Sequence, residues 1–75
     1  MPYIAIKTLP KDKKVKENTV EKLQKLFVES WNCPPEAITI SVEEFEQNEY
    51  YDAVVKPEVE PKMDKMMIFK GEKKF

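Results

Sequence analysis

Ala37-Ile38-Thr39-Ile40-Ser41-Val42 alternates apolar and small polar side chains without a break, the period-two signature of a half-buried strand. Ile38, Ile40 and Val42 face one way, and Ala37, Thr39 and Ser41 the other. Residues 3–9 alternate in the same manner, with Ile4, Ile6 and Thr8 on one face and Tyr3, Ala5, Lys7 and Leu9 on the other. The segment between them has a different period. From about residue 15, the apolar positions Val20, Leu23, Leu26, Phe27 and Trp31 recur at spacings of three or four, while Glu17, Glu21, Lys22, Lys25 and Glu29 fall mostly elsewhere. That pattern predicts an amphipathic helix with one buried stripe. Asp12 is suited to cap it, because a carboxylate accepts the orphan amides of a first turn. Cys33-Pro34-Pro35 ends it near Asn32, since each proline clashes with the preceding turn and disfavours a helical residue before it. Two strands joined by a helical crossover are predicted to pair in parallel, with a right-handed connection.

Beyond Phe45 the pattern weakens. A polar stretch, Glu46-Gln47-Asn48-Glu49, leads to Tyr50-Tyr51-Asp52 and the apolar group Ala53, Val54, Val55. Pro57 and Pro61 argue against one continuous helix, although proline is comfortable in a first turn. The expectation is a short turn or 3₁₀ piece over residues 50–55, then a helix over about 58–69 that buries Val59, Met63, Met66 and Met67. Methionine commonly fills irregular apolar gaps, which favours a core role for that stripe. Residues 70–75 have no periodicity and are expected to fray unless a partner pins them. The fold class is therefore α+β: a β-α-β unit with parallel strands plus a C-terminal helix, in one domain over residues 1–75. A two-stranded sheet is not independently stable. A homodimer that joins two such units into one four-stranded sheet would protect an edge of each.

Composition narrows the function. Thirteen basic residues face 14 acidic ones, for a net charge of −1, so nucleic-acid binding has no support. Every basic residue is lysine, and the planar fork with which arginine grips carboxylates is missing from the whole chain. Histidine is absent too, which removes the usual acid–base residue and the commonest zinc ligand. Cys33 is alone, so neither a disulfide framework nor metal-ligand spacing exists. No run approaches the roughly 18 apolar residues of a membrane span, and the opening lacks a secretory layout. The expectation is a cytoplasmic protein without membrane, metal or cofactor.

Pro2 is the residue with chemistry in reserve. An internal proline nitrogen is an amide with no hydrogen and no useful basicity, whereas a proline exposed by loss of Met1 carries a free secondary amine. A proline ahead of an edge strand is also ordinary punctuation, so position alone leaves both readings open.

The opening Met1-Pro2-Tyr3-Ile4-Ala5-Ile6-Lys7, the helix of residues 15–32, the strand of residues 37–42 and the stretch Tyr51-Asp52-Ala53-Val54-Val55-Lys56-Pro57-Glu58-Val59-Glu60-Pro61-Lys62-Met63 together resemble the 4-oxalocrotonate tautomerase family of the tautomerase superfamily. The last stretch looks like the extended second helix of that family's dimeric branch, some of whose members tautomerise phenylpyruvate. The resemblance implies a tautomerase/MIF-like fold and an amino-terminal proline, here Pro2, acting as catalytic base in an isomerase. It implies a small 2-keto or enol acid as substrate, with no metal. The family's founding enzyme carries arginines after strand one and within strand two. Here those places are taken by the loop containing Lys11 and by Thr39, and Tyr51 falls where the family puts an aromatic residue over the site. Lys11, Thr39 and Tyr51 are thus the implied substrate contacts, with Tyr51 able to pack on an aryl group or donate to an oxyanion.

Such a base needs a pKa near working pH. A terminal amine starts near about 7.7–8.0, and burial or neighbouring lysines such as Lys7, Lys11, Lys13 and Lys14 push it down. Two alternatives stay open. One is a hydratase or dehalogenase using cationic Pro2 as general acid, with Glu43 or Asp52 activating water. The other is a non-catalytic dimeric interaction module that kept the fold.

Overall fold

Strand β1 (Tyr3–Thr8) and strand β2 (Thr39–Glu44) pair in parallel, in register from Tyr3 against Thr39 to Thr8 against Glu44. They belong to a computed structural model that describes every residue, Met1–Phe75. The chain divides into two compact units, Met1–Phe45 and Glu46–Phe75.

In the first unit, helix α1 (Lys13–Trp31) connects the strands. Its cap is the predicted one: Asp12 Oδ2 accepts the Lys14 amide at 3.2 Å, and the Asp12 carbonyl accepts the Lys16 amide at 3.1 Å. The helix stops at Asn32, whose left-handed backbone (φ 54°, ψ 40°) suits asparagine better than most side chains. Pro34 is extended, and Pro35–Ala37 forms a 3₁₀ turn closed by the Ile38 amide on the Pro35 carbonyl at 3.2 Å. Strand β2 therefore begins two residues later than the alternation suggested, because Ala37 is spent on the turn.

The sheet has two unlike faces. Ile4, Ile6, Ile40 and Val42 are half-buried on the side crossed by α1, whose Val15 lines a cavity with Ile6 and Val42 and whose Val20 lines another with Ile40. The opposite face carries polar pairs: Tyr3 diagonally across from Ser41, oxygens 3.4 Å apart, and Lys7 Nζ with its register partner Glu43, Oε1 at 3.9 Å. The buried stripe of α1 is narrower than predicted. Val20, Leu23 and Phe27 are half-buried, but Leu26 is 52% and Trp31 63% exposed. Two strands spaced about 4.8 Å apart make too narrow a floor to cover a broad apolar arc. Trp31 instead packs edge-on against Phe27, with centroids 4.7 Å apart.

The second unit departs further from expectation. Glu46 and Glu49 form a reciprocal capping box, the Glu49 carboxylate accepting the Glu46 amide at 3.0 Å, and this starts helix α2 (Gln47–Tyr50). The helical path continues as a π-helix, Tyr51–Val59, and then a 3₁₀ helix, Glu60–Lys65. The predicted break before residue 58 is absent. Pro57 has no amide hydrogen and its ring crowds the carbonyl four residues back. Widening to i→i−5 bonds, as from the Glu60 amide to the Val55 carbonyl, carries the chain past it. Pro61 then sits in the first turn of the 3₁₀ segment, where its missing donor costs nothing.

The helix ends at Lys65, because Met66 is extended (φ −74°, ψ 121°). The methionine stripe is consequently not core: Met63 is 39% and Met67 63% exposed, and Met66 is half-buried. The end of the chain folds rather than frays. Strands β3 (Ile68–Phe69) and β4 (Glu72–Lys73) form a hairpin across Lys70 (φ 50°) and Gly71 (φ 81°), two left-handed residues that match the twist of a two-residue loop. Val54, at 4% exposure, is the one buried side chain of the protein.

Candidate functional site

Pro2 is fixed at the head of β1 by its carbonyl, which accepts the Thr39 amide at 3.2 Å as the first rung beyond the ladder. The residue is half-buried, while Met1 is 99% exposed. In the intact chain its nitrogen is the amide of the Met1–Pro2 bond. Thr39, exposed at the start of β2, is thus brought beside Pro2.

Lys11 is not. It follows the far end of β1, and six strand residues at about 3.3 Å each place it roughly 20 Å from Pro2 within the unit. Its backbone amide donates to Glu44 Oε2 at 2.8 Å, and the same oxygen receives Lys16 Nζ at 3.2 Å. The Lys11 amide, and then the Lys16 ammonium, hold the Glu44 carboxyl below the usual glutamate range. A depressed pKa gives stability that is present at neutral pH and lost as pH falls through the folded-state value. Glu44→Gln should therefore flatten the acid limb of the unfolding curve, measured as urea midpoints between pH 7 and pH 3, while costing stability at pH 7.

Two cavities lie between α1 and the sheet. One, of about 180 Å³, sits toward Lys11, with Ile6, Val15 and Val42 among its walls beside Lys11 and Lys16. The other, of about 220 Å³, is lined by Val20, Glu21, Gln24, Ile38 and Ile40. Extending the register by one residue sets Ile38 opposite Pro2, so this second cavity opens at the proline's end of the sheet. Glu21 and Gln24 had no place in the sequence-based site. Their spacing from Val20, one and four residues on, is the signal that sets them beside the half-buried stripe.

Tyr51 belongs to the second unit and is 52% exposed at the first position of the π-helix. Its hydroxyl donates to Glu60 Oε2 at 2.7 Å, nine residues along the chain. That hydrogen bond, and then the Glu60 charge, push the Tyr51 phenol above its ordinary pKa. Of the carboxylates considered for water activation, Glu43 is engaged with Lys7, and Asp52 is exposed.

No group of three or more histidine, cysteine or acidic side chains is placed to hold a metal ion. No helix is long and apolar enough to cross a membrane. No protein-family model matches the chain, and no curated protein matches it significantly.

Proposed function

We propose that this protein is an enol–keto tautomerase of the 4-oxalocrotonate tautomerase type. It acts as a homodimer on a small 2-hydroxy-2-enoate or aryl enolpyruvate, and Pro2 is the general base once Met1 is removed. The observation that carries the proposal is the setting of Pro2. Its carbonyl is anchored to Thr39 and its ring is half-buried, while the methionine ahead of it is fully exposed to an aminopeptidase.

The chemistry follows from that setting. A neutral prolyl nitrogen takes the proton of the enol hydroxyl and returns it to carbon, so one group serves both half-reactions. Charge that develops on the substrate oxygen needs a donor or cation nearby. Lys11 lies at the far end of its own unit from Pro2, and in the proposed dimer a second copy supplies the donor or cation, which makes the dimer part of the mechanism. Arginine's bidentate grip is missing, which favours a monocarboxylate over a dicarboxylate. A hydration route is less well served, because Glu43 is paired with Lys7.

Intact-protein mass spectrometry and a pH–rate profile for ketonisation of phenylenolpyruvate test the reading together. The expected results are a mass lacking one methionine and a rate that rises with pH through an amine titrating below about 7.7–8.0. A retained methionine, or a rate no greater than that of free proline, rejects the proposal and leaves the non-catalytic dimeric module.

A further inference from the structure

The side of the sheet that faces α1 changes character along its length. Ile6 and its register partner Val42 are apolar, and the next pair on that side is Thr8 with Glu44. The cavity of about 180 Å³ sits at this step, with Ile6, Val42 and Val15 as its apolar walls and Thr8, Lys11 and Lys16 among its polar ones.

Most of the polar groups around it are already committed. Thr19 Oγ1, also on the wall, donates to the Val15 carbonyl at 2.8 Å. Lys16 Nζ is matched by Glu44 Oε2 at 3.2 Å, and Glu44 itself does not line the cavity. Asp12, the only acidic residue between Leu9 and Lys16, is turned to the Lys14 amide as the helix cap. Two groups are left over. The Lys11 backbone amide goes to Glu44, but no carboxylate lies within ion-pair distance of its ammonium. The Thr8 hydroxyl is free as well, since that residue engages the Phe45 amide through its carbonyl.

From these groups we infer that the cavity binds a small amphiphilic monocarboxylate, its chain against Ile6, Val15 and Val42 and its head on the Lys11 ammonium and the Thr8 hydroxyl. Apolar walls around roughly 150 Å³ admit a benzene-sized guest, so this cavity has room for a chain of about six carbons. A lysine meets a single carboxylate as a point charge and needs no bidentate geometry. A second carboxylate at the other end of the ligand would be buried without a partner, which excludes dicarboxylates. The site lies wholly within the first unit, roughly 20 Å from Pro2, and depends neither on that residue nor on the tautomerase reading.

Amide chemical-shift titration of the full-length protein tests the assignment. Hexanoate should move the amides of Thr8, Val15, Thr19 and Val42 to saturation and leave that of Thr39 in place. Hexanamide keeps the chain without the charge and should bind about fivefold more weakly, the upper range for one exposed ion pair. From propionate to hexanoate, each added methylene should tighten binding about two- to fourfold. Adipate, of the same length as hexanoate, should bind more weakly than hexanoate.

Variants separate charge from shape. In Lys11→Met, hexanoate and hexanamide should bind equally. Val15→Phe, at a position 51% exposed, should fill the cavity and abolish binding with circular dichroism unchanged. Glu44→Gln releases Lys16 and should tighten hexanoate about two- to fivefold, a gain that a merely structural effect does not give. Pro2→Ala should bind hexanoate as the native protein does. Equal binding of hexanoate and hexanamide by the native protein, an affinity indifferent to chain length, or a charge preference that survives Lys11→Met overturns the assignment. So does a cavity that does not respond to hexanoate, the result expected if a second copy fills it.

Discussion

Pro2→Ala, made in a chain that has lost Met1, lowers kcat/KM for ketonisation of phenylenolpyruvate by about 100-fold or more, within the range of a positioned acid–base group. Alanine leaves a terminal amine, but a primary one, free to rotate about a bond that the pyrrolidine ring had locked. The fall should appear in kcat more than in KM, because the lost interaction belongs to the proton transfer and not to binding. A companion variant with one extra residue ahead of Pro2 turns the nitrogen into an amide and should reduce catalysis to the level of free proline. In both variants the carbonyl of residue 2 still accepts the Thr39 amide, so circular dichroism should match the native protein. Retention of activity within threefold in either variant would remove Pro2 from the mechanism.

A hundredfold dilution should lower the thermal midpoint by about 5–10 °C, since mass action on a dimer of this size is worth about 2.7 kcal/mol over that range. The basis is the lack of a core. Only Val54 is buried, while Tyr3 is 68%, Trp31 63%, Ile68 60% and Phe75 78% exposed. A chain of this length is at the lower limit of self-sufficiency even when well packed. In the proposed dimer, a second copy covers that apolar surface and pairs with an edge of the two-stranded parallel sheet, in which both strands are edge strands. Sedimentation equilibrium should give twice the chain mass at the concentrations where the midpoint is highest. A monomeric mass together with a concentration-independent midpoint contradicts the dimer.

How far the sequence could be read depended on whether its signals were local and regular. Strand β1, helix α1 with its Asp12 cap and its stop before Cys33-Pro34-Pro35, and the parallel β2 were all legible, because each rests on an uninterrupted period and a residue type with a single strong preference. The second unit hid behind exceptions. Glutamate is an unusual N-cap, so Glu46-Gln47-Asn48-Glu49 reads only as a polar stretch, although the residue three positions on is the one a capping box requires. Pro57 read as a helix breaker because a 3.6-residue period cannot pass it, whereas a π turn can. The hairpin had Gly71 as its one cue, with lysine rather than asparagine at the other left-handed position. Of the site, Pro2 and Thr39 come together through strand register, which sequence can supply. The Tyr51–Glu60 contact spans nine residues, a separation that neither a helical nor a strand period predicts.

The hydrogen bond between Thr39 and Pro2 also bears on when the proposed enzyme would become competent. A proline at position 2 gives the sheet its oxygen and nothing from its nitrogen, before or after the methionine is cut away. The proposed loss of Met1 would therefore neither wait for the fold nor disturb it. On the proposed reading, a chain trimmed on the ribosome or long afterwards would arrive at the same sheet, and activation would consist of one hydrolysed bond at a position from which the architecture borrows no donor.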